Sequence, residues 1–420
     1  MEIFRDLPKD LIEDEILTHV PATYLRGLGS TCKRWNRLFN DDRRFAGKHA
    51  EKAAKQFMVL MLTRAYRICP AIVDLDGKIP SFELKSELSL VDPKHPAARF
   101  DVDIPFQFSF DHASAQVDVD AVLHCGFKYP GAQFRVGVVF HCDGLLLCTA
   151  ADKSRFVVWN LFTGETRWFQ PSNKGVKGRN IVLGYGKDKS YKILSFYHRK
   201  RDYEIYEFSS DTWRVVDEII APGWSLGYTG IYVSLKGSTY SFATDETKTQ
   251  QSVSLIKFDY SAEKFVPVAL PYPSSFFGTV SLSVVKDEKL SVLLKGAEDT
   301  SKTEIWVSNK VDERTPEVVS WSLVWALDLS PDLQVFWGSS YLLDEEKKVA
   351  VISAHWIDLK DETETIDKDT ICIVGEDNEA TVVDFGLETT DGCYAVILNY
   401  VPSLVQIEQA GGGKRKRADM

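Results

Sequence analysis

The 420-residue sequence predicts a molecule of two unlike parts: a short N-terminal unit of three helices, then a large all-β domain built as a propeller of about six or seven blades. Three observations predict it. Apolar spacing changes near residue 57 from steps of three and four to alternation. More than 300 residues then follow without a convincing amphipathic helix, and one phrase within them recurs at a period near fifty. The implied boundaries are 1–50 for the helical unit, 51–408 for the β domain and 409–420 for a basic tail.

A first helix is predicted from Asp10, with Glu13 three residues on completing a capping-box pattern. Ile12, Ile16 and Val20 fall on one face, and Pro21 ends the run. Thr23 can cap a second stretch in which Leu25, Leu28, Cys32, Trp35 and Phe39 recur at helical steps, with Lys33, Arg34 and Arg37 on the other side. A unit this short buries only a small core. Its apolar stripe therefore needs a cover, supplied by another protein or by the domain that follows.

The β domain takes its template from "GLLLCTAADKSRFVVWNLFTGETRWFQP", which starts at Gly144: an apolar strand, a turn, a second strand, a turn, and a tryptophan-bearing third. "YKILSFY" and "YEIYEFSSDTWRVV" repeat it, moving Glu165 to Asp211, a shift of 46 residues. "SLIKFDYSAEKFVPV" places Glu263 a further 52 along, and "TEIWVSNK" from Thr303 begins a looser copy. That period matches a propeller blade of the kelch or WD-repeat size, and each blade must bury its faces against its neighbours. A two-sheet sandwich is the alternative architecture.

Composition excludes several function classes. The longest apolar runs, such as "FMVLML" from Phe57, fall far short of the roughly 20 residues that a spanning helix needs, and the sequence opens with no basic-then-apolar leader. Seven scattered cysteines and the lack of an Asn-X-Ser/Thr sequon point to a reducing compartment, nucleus or cytoplasm. The formal charge of −10 argues against general nucleic-acid binding and leaves a basic protein as a compatible partner for the β domain.

The stretch "LPKDLIEDEILTHVPATYLRGLGSTCKRWNRLFND" resembles an F-box, the short helical module that docks on the Skp adaptor of cullin-based ubiquitin ligases. The resemblance is carried by Leu7, Pro8, Ile16, Leu17, Leu25, Leu28, Cys32 and Trp35, and it implies that these eight bind the adaptor. Two departures stand out. "DLIEDEIL" has one residue more than the family pattern, which turns Leu11 about 100 degrees from its expected face. Gly27 and Gly29 occupy helix-interior positions, where each glycine costs about 1 kcal/mol relative to alanine.

Farther on, "FHCDGLLLC", "VVWNLFTGETRWFQP", "LGYGKDKSYKIL", "YEIYEFSSDTWRVV" and "YVPSLVQI" resemble, in that order, the F-box-associated interaction domain of the large plant F-box family. The segment from about Asp101 to Val138 looks longer than the family pattern. Together the two resemblances imply a substrate-recognition subunit of a Skp–cullin–F-box ligase, non-catalytic and without cofactor. Its partners would be the adaptor, through it cullin and RING subunits, and a target protein, with no membrane or nucleic acid. The alternative is a propeller scaffold whose degenerate F-box acts outside any ligase.

Chemical motifs are few. His124, Cys125, His141 and Cys142 are zinc-type residues, but neighbours in a strand point to opposite faces, so neither His–Cys pair can turn both side chains to one ion and no metal site is expected. "GYGKDKS" from Gly184 superficially matches a phosphate loop, yet the strand pattern "YKILSFY" follows where a helix would be required. Trp224, in "APGWSLGY", is the candidate exposed loop aromatic for target binding. No nucleophile–base arrangement is evident. Lys414, Arg415, Lys416 and Arg417 after "GGG" form a candidate nuclear-import signal.

Overall fold

The computed structural model describes residues 7–20, 22–52, 58–63, 66–75, 80–85, 87–88, 90, 100–108, 119–127, 134–172, 179–187, 189–197, 201–217, 219–226, 230–247, 252–274, 277–296, 302–311, 319–328, 333–334, 339–361, 364–384 and 395–408. The candidate import signal at 414–417 lies outside them.

Helices come first. A π-helical turn, Leu11–Ile16, runs into a 3₁₀ turn, Leu17–His19, and three α-helices follow: α1 (Ala22–Thr31), α2 (Lys33–Asp41) and α3 (Arg43–Lys52). The expected capping box is not formed. Asp10 is already helical with no side-chain cap bond, and Glu13 instead accepts from Arg34 Nε at 2.6 Å. Nor is the apolar stripe from Leu25 to Phe39 continuous. Cys32 is extended (φ −148°, ψ 123°), and Ser30 and Thr31 close α1 by bonding back to the Gly27 and Leu28 carbonyls. The chain folds over at that break, which brings Leu25 of α1 and Phe39 of α2 into one core.

The strands build six blades, each a twisted antiparallel sheet running from the ring centre outward. Blade 1 holds β1 (Met58–Leu62), β2 (Ile68–Asp74) and β3 (Ser81–Leu84). A separate two-stranded hairpin, β4 (Phe100–Phe108) and β5 (Val119–Phe127), occupies the segment that looked overlong in sequence. Blade 2 is β6 (Val136–Cys142), β7 (Leu145–Ala150), β8 (Phe156–Trp159) and β9 (Thr166–Phe169). Blade 3 is β10 (Arg179–Tyr185), β11 (Tyr191–Tyr197), β12 (Tyr203–Glu207) and β13 (Thr212–Val216).

Blade 4 has a split inner strand, β14 (Trp224–Leu226) with β15 (Tyr232–Leu235), then β16 (Ser238–Asp245), β17 (Ser252–Asp259) and β18 (Lys264–Val268). Blade 5 is β19 (Phe277–Val285), β20 (Lys289–Gly296), β21 (Lys302–Ser308) and β22 (Trp321–Asp328). Blade 6 repeats the split with β23 (Leu333–Gln334) and β24 (Tyr341–Asp344), followed by β25 (Val349–Asp361), β26 (Glu364–Val374) and β27 (Ala380–Asp384). Finally β28 (Val396–Tyr400) returns to blade 1 and becomes its innermost strand, pairing Met58 with Tyr400 and Leu62 with Val396. Closure thus joins chain segments more than 300 residues apart.

Packing follows the ring. One apolar core joins blades 1 and 2 around Leu60, Leu146 and Trp159; another joins blades 2, 3 and 4 around Phe156, Ile193 and Phe258. Further cores join 4 to 5, 5 to 6, and 6 back to 1, the last through Met61, Ile373 and Ile397. This is why the second strands read as nearly unbroken apolar runs. All six residues of β7 are buried, because both of its faces meet neighbouring blades. At the blade 3 to 4 interface two backbones meet closely: a Cβ on Gly184 would lie 2.0 Å from the Tyr260 ring and 2.3 Å from the Gly237 carbonyl oxygen. Glycine there is a packing requirement, and "GYGKDKS" spans the end of β10 and the connection that leads into strand β11.

Candidate docking face

The helical unit has its own core, formed by Ile12, Leu17, Leu25, Phe39, Phe45 and Ala46, with one residue from the far end of the chain, Leu404. Leu7, Val20, Leu28, Trp35, Leu38 and, from blade 2, Phe162 pack around it half-buried. Of the eight residues expected to need a foreign cover, Leu17 (2% exposed) and Leu25 (0%) are covered by the chain itself. Helical spacing had marked the stripe without telling which members turn inward. Pro8 is exposed, and Leu7, Ile16, Leu28, Cys32 and Trp35 keep part of their surface in solvent.

Two exposed apolar side chains join them that the spacing did not single out: Tyr24 (63%) and Leu11 (41%). The extra residue of "DLIEDEIL" explains the second. Leu17 N–H bonds to the Ile12 carbonyl, five residues back, so the π turn absorbs the insertion locally and the expected rotation is not passed along the helix. Ion pairs of α3 with this turn, Lys48 to Asp14 at 2.9 Å and Lys52 to Glu15 at 3.4 Å, hold the two together at the surface. Each is worth little alone.

His49 ties α3 to the turn before α1. It is 3% exposed, its Nε2 lies 2.8 Å from the Val20 carbonyl, and its ring packs 5.9 Å from that of Phe45. Burial holds its pKa below the ordinary 6.5, outweighing the Val20 bond, which acts the other way. The unfolded chain therefore takes up a proton near pH 6.5 that the folded unit refuses. Stability from this group is present above that pH and is lost as pH falls below it. The expected result in urea unfolding followed by far-UV circular dichroism is an earlier helical transition at about pH 5.5 than at about pH 7.5, with His49→Gln removing most of that difference.

Contact with the propeller is made through a seam. A crevice of about 240 Å³ opens between α1, α2 and blade 2, lined by Leu25, Gly29, Phe39, Phe162 and Leu404 among others. The turn that carries Phe162 lies on the same rim as the β6–β7 turn. By strand alternation, the opposite rim carries the long β25–β26 hairpin, whose outer ends, among the described residues, pair with each other from Asp358 to Asp361 and Glu364 to Ile366.

The repeated acidic position of the sequence turns out to be an inter-blade clasp. Asp211 of blade 3 accepts from Arg167 of blade 2 at 2.7 Å, and Glu263 of blade 4 accepts from Arg214 and, at 2.7 Å, from Lys192 of blade 3. The Tyr206 hydroxyl and then Arg167 hold the Asp211 carboxyl below its usual range; for Glu263, burial opposes but Lys192 and Arg214 prevail. In blade 2 the equivalent Glu165 accepts instead from the Ile407 N–H, at 3.1 Å. The period exposed these positions. Their role was illegible until the neighbouring blade was in place.

Trp224 is not a loop aromatic. It opens β14 and packs half-buried against the core of blades 2 to 4. His124 and Cys125 lie in β5; His141 Nε2 accepts from the Gly144 N–H at 3.0 Å, and Cys142 is fully buried. No group of three or more metal-type side chains occurs among the described residues.

A six-bladed ring with a helical module seated on one rim defines a class: propeller proteins that carry a separate helical module. Residues 99–407 match the model of the F-box associated beta propeller domain. The chain is 49% identical to F-box protein ETP2 of Arabidopsis thaliana, across 99% of both chains, and 44% identical to F-box protein ETP1 of that plant, again across 99% of both. This chain belongs to the plant F-box proteins with an F-box-associated β-propeller domain. Among solved structures, a functionally unknown protein from Desulfotomaculum acetoxidans gives a TM-score of 0.38 at 10% identity, covering 82% of this chain and 99% of that one, too slight a likeness to support any argument. The family match begins after β3, so three strands of blade 1 lie outside it although β28, their ring-closing partner, lies inside.

Proposed function

We propose that the chain is the substrate-recognition subunit of a Skp–cullin–F-box ubiquitin ligase. One observation carries the reading: the helices leave Leu11, Tyr24 and Pro8 exposed and Leu7, Ile16, Leu28, Cys32 and Trp35 half-exposed, although the core beneath them, Leu404 included, is closed. Apolar groups spread along so small a unit fit helix-in-groove recognition by an adaptor. Leu17 and Leu25 support that surface from within.

The opposite rim, which carries the β25–β26 hairpin, is the target-binding side. Catalysis then comes from proximity: a lysine of the tethered target meets the ubiquitin thioester at high effective concentration, and this chain contributes neither nucleophile nor base. The reading places the protein in nucleus or cytoplasm, with the 414–417 basic run as an import signal.

Co-purification from plant extract tests it. Wild type retains the Skp adaptor and cullin; Leu7→Ala with Pro8→Ala, and separately Trp35→Ala, lose them while keeping a wild-type circular dichroism spectrum. Failure of wild type to retain the adaptor would leave a scaffold acting outside a ligase as the better description.

A further inference from the structure

Residues 401–408 follow the ring-closing strand and run as a strap between the propeller and the helices. Val401, Ser403, Leu404 and Ile407 are all buried. The strap passes directly over the β6–β7 turn: a Cβ on Gly144 would lie 2.3 Å from Ser403 Cβ and 2.8 Å from the Val401 oxygen. On the propeller side, Asn160 Nδ2 donates to the Ser403 and Val405 carbonyls at 2.9 and 2.8 Å. Glu165 takes the Ile407 N–H, Arg167 donates to the Glu408 carbonyl, and the Ile407 side chain enters the core of blades 2 to 4. On the helical side, Leu404 enters the core beside Leu25, Phe39 and Phe45, and Gln406 Nε2 donates to the Asn40 carbonyl of α2 at 2.7 Å.

We propose that this strap makes the docking module conditional on a finished propeller: Leu404, which completes the helical core, is set in place only once β28 has closed the ring. The proposal rests on the reading of the helices as the adaptor site. Its logic is the small size of the unit. A helical module of under fifty residues gains too little from its own burial to hold firmly, so a core residue supplied from elsewhere decides how often it opens. Because Leu404 follows β28 in the chain, an incomplete or unclosed propeller exposes loosened helices and recruits the adaptor poorly. Only complete receptors are then loaded onto the ligase.

Hydrogen exchange on the full-length chain tests this without any adaptor. In Leu404→Asp, amides of α1 and α2 exchange at least about 30-fold faster, the factor expected from losing a buried leucine, while β17 and β20 on the far blades keep wild-type rates. Gln406→Ala, which leaves Leu404 in place, moves the helices the same way by about fivefold. A chain ending at Glu408 behaves as wild type. Adaptor affinity falls in step with helix opening. Unchanged helix exchange in both variants, or equal acceleration in helices and far blades, overturns the proposal. If wild type binds no adaptor, the ligase reading fails while the exchange result still decides the strap.

Discussion

Replacing Asn160 with alanine lowers stability by about 3 kcal/mol and loosens the helices from the ring. The residue is fully buried at the end of β8. Its Oδ1 accepts from the Phe162 and Thr163 N–H groups at 2.9 and 3.1 Å and shapes the turn that meets the helices, while its Nδ2 holds two strap carbonyls. Alanine leaves the Thr163 N–H and the Ser403 and Val405 carbonyls without that partner, while the Phe162 N–H keeps the Tyr400 hydroxyl at 3.2 Å; each buried orphan costs about 1–3 kcal/mol, less where water reaches it. Asn160→Asp keeps the turn's acceptor but sets a carboxylate against two carbonyl oxygens, so it fares no better than alanine. Urea midpoints check both; a change under about 0.5 kcal/mol would be that of an ordinary surface site.

Arg179→Met has the larger cost, about 3–5 kcal/mol. Its guanidinium, with a side chain 0% exposed, reaches Asp202 and Glu204, each at 3.1 Å, and bonds to Ser195 through Oγ at 2.7 Å and the carbonyl at 2.9 Å. It also lies 4.8 Å from the Tyr197 ring centroid. Asp202 is partly exposed and can turn to water, but Glu204, at 6% side-chain exposure, is left as a buried carboxylate with, among the described residues, the Ser172 hydroxyl as its remaining side-chain partner. Removing that charge as well restores much of the loss: Arg179→Met with Glu204→Met is more stable than Arg179→Met alone. A double variant no more stable than the single one would contradict this assignment of the cost.

What the sequence made legible was periodic. Glu165, Asp211 and Glu263 marked the blade repeat because equivalent turns need equivalent residues, and the strand texture followed from burial on both faces. The docking residues were legible as a stripe, since helical spacing reports a face. It does not report the break at Cys32, where two side-chain bonds close one helix and an extended residue precedes the next, nor the π turn that absorbs an inserted residue. Ring closure by β28 and the strap beyond it lay out of reach for another reason. Asn160 and Ser403 are joined across 243 positions, and no local pattern encodes a contact of that range.

Titration of the full chain with a purified Skp-type adaptor shows whether the exposed helical side chains are a docking surface. One-to-one binding is expected, and Leu11→Asp with Tyr24→Asp weakens it by at least about 100-fold, because charges are placed on exposed apolar anchors. Val215→Asp, an equally exposed apolar position on blade 3, leaves the affinity unchanged. No binding by wild type, or full affinity in the double variant, would contradict it.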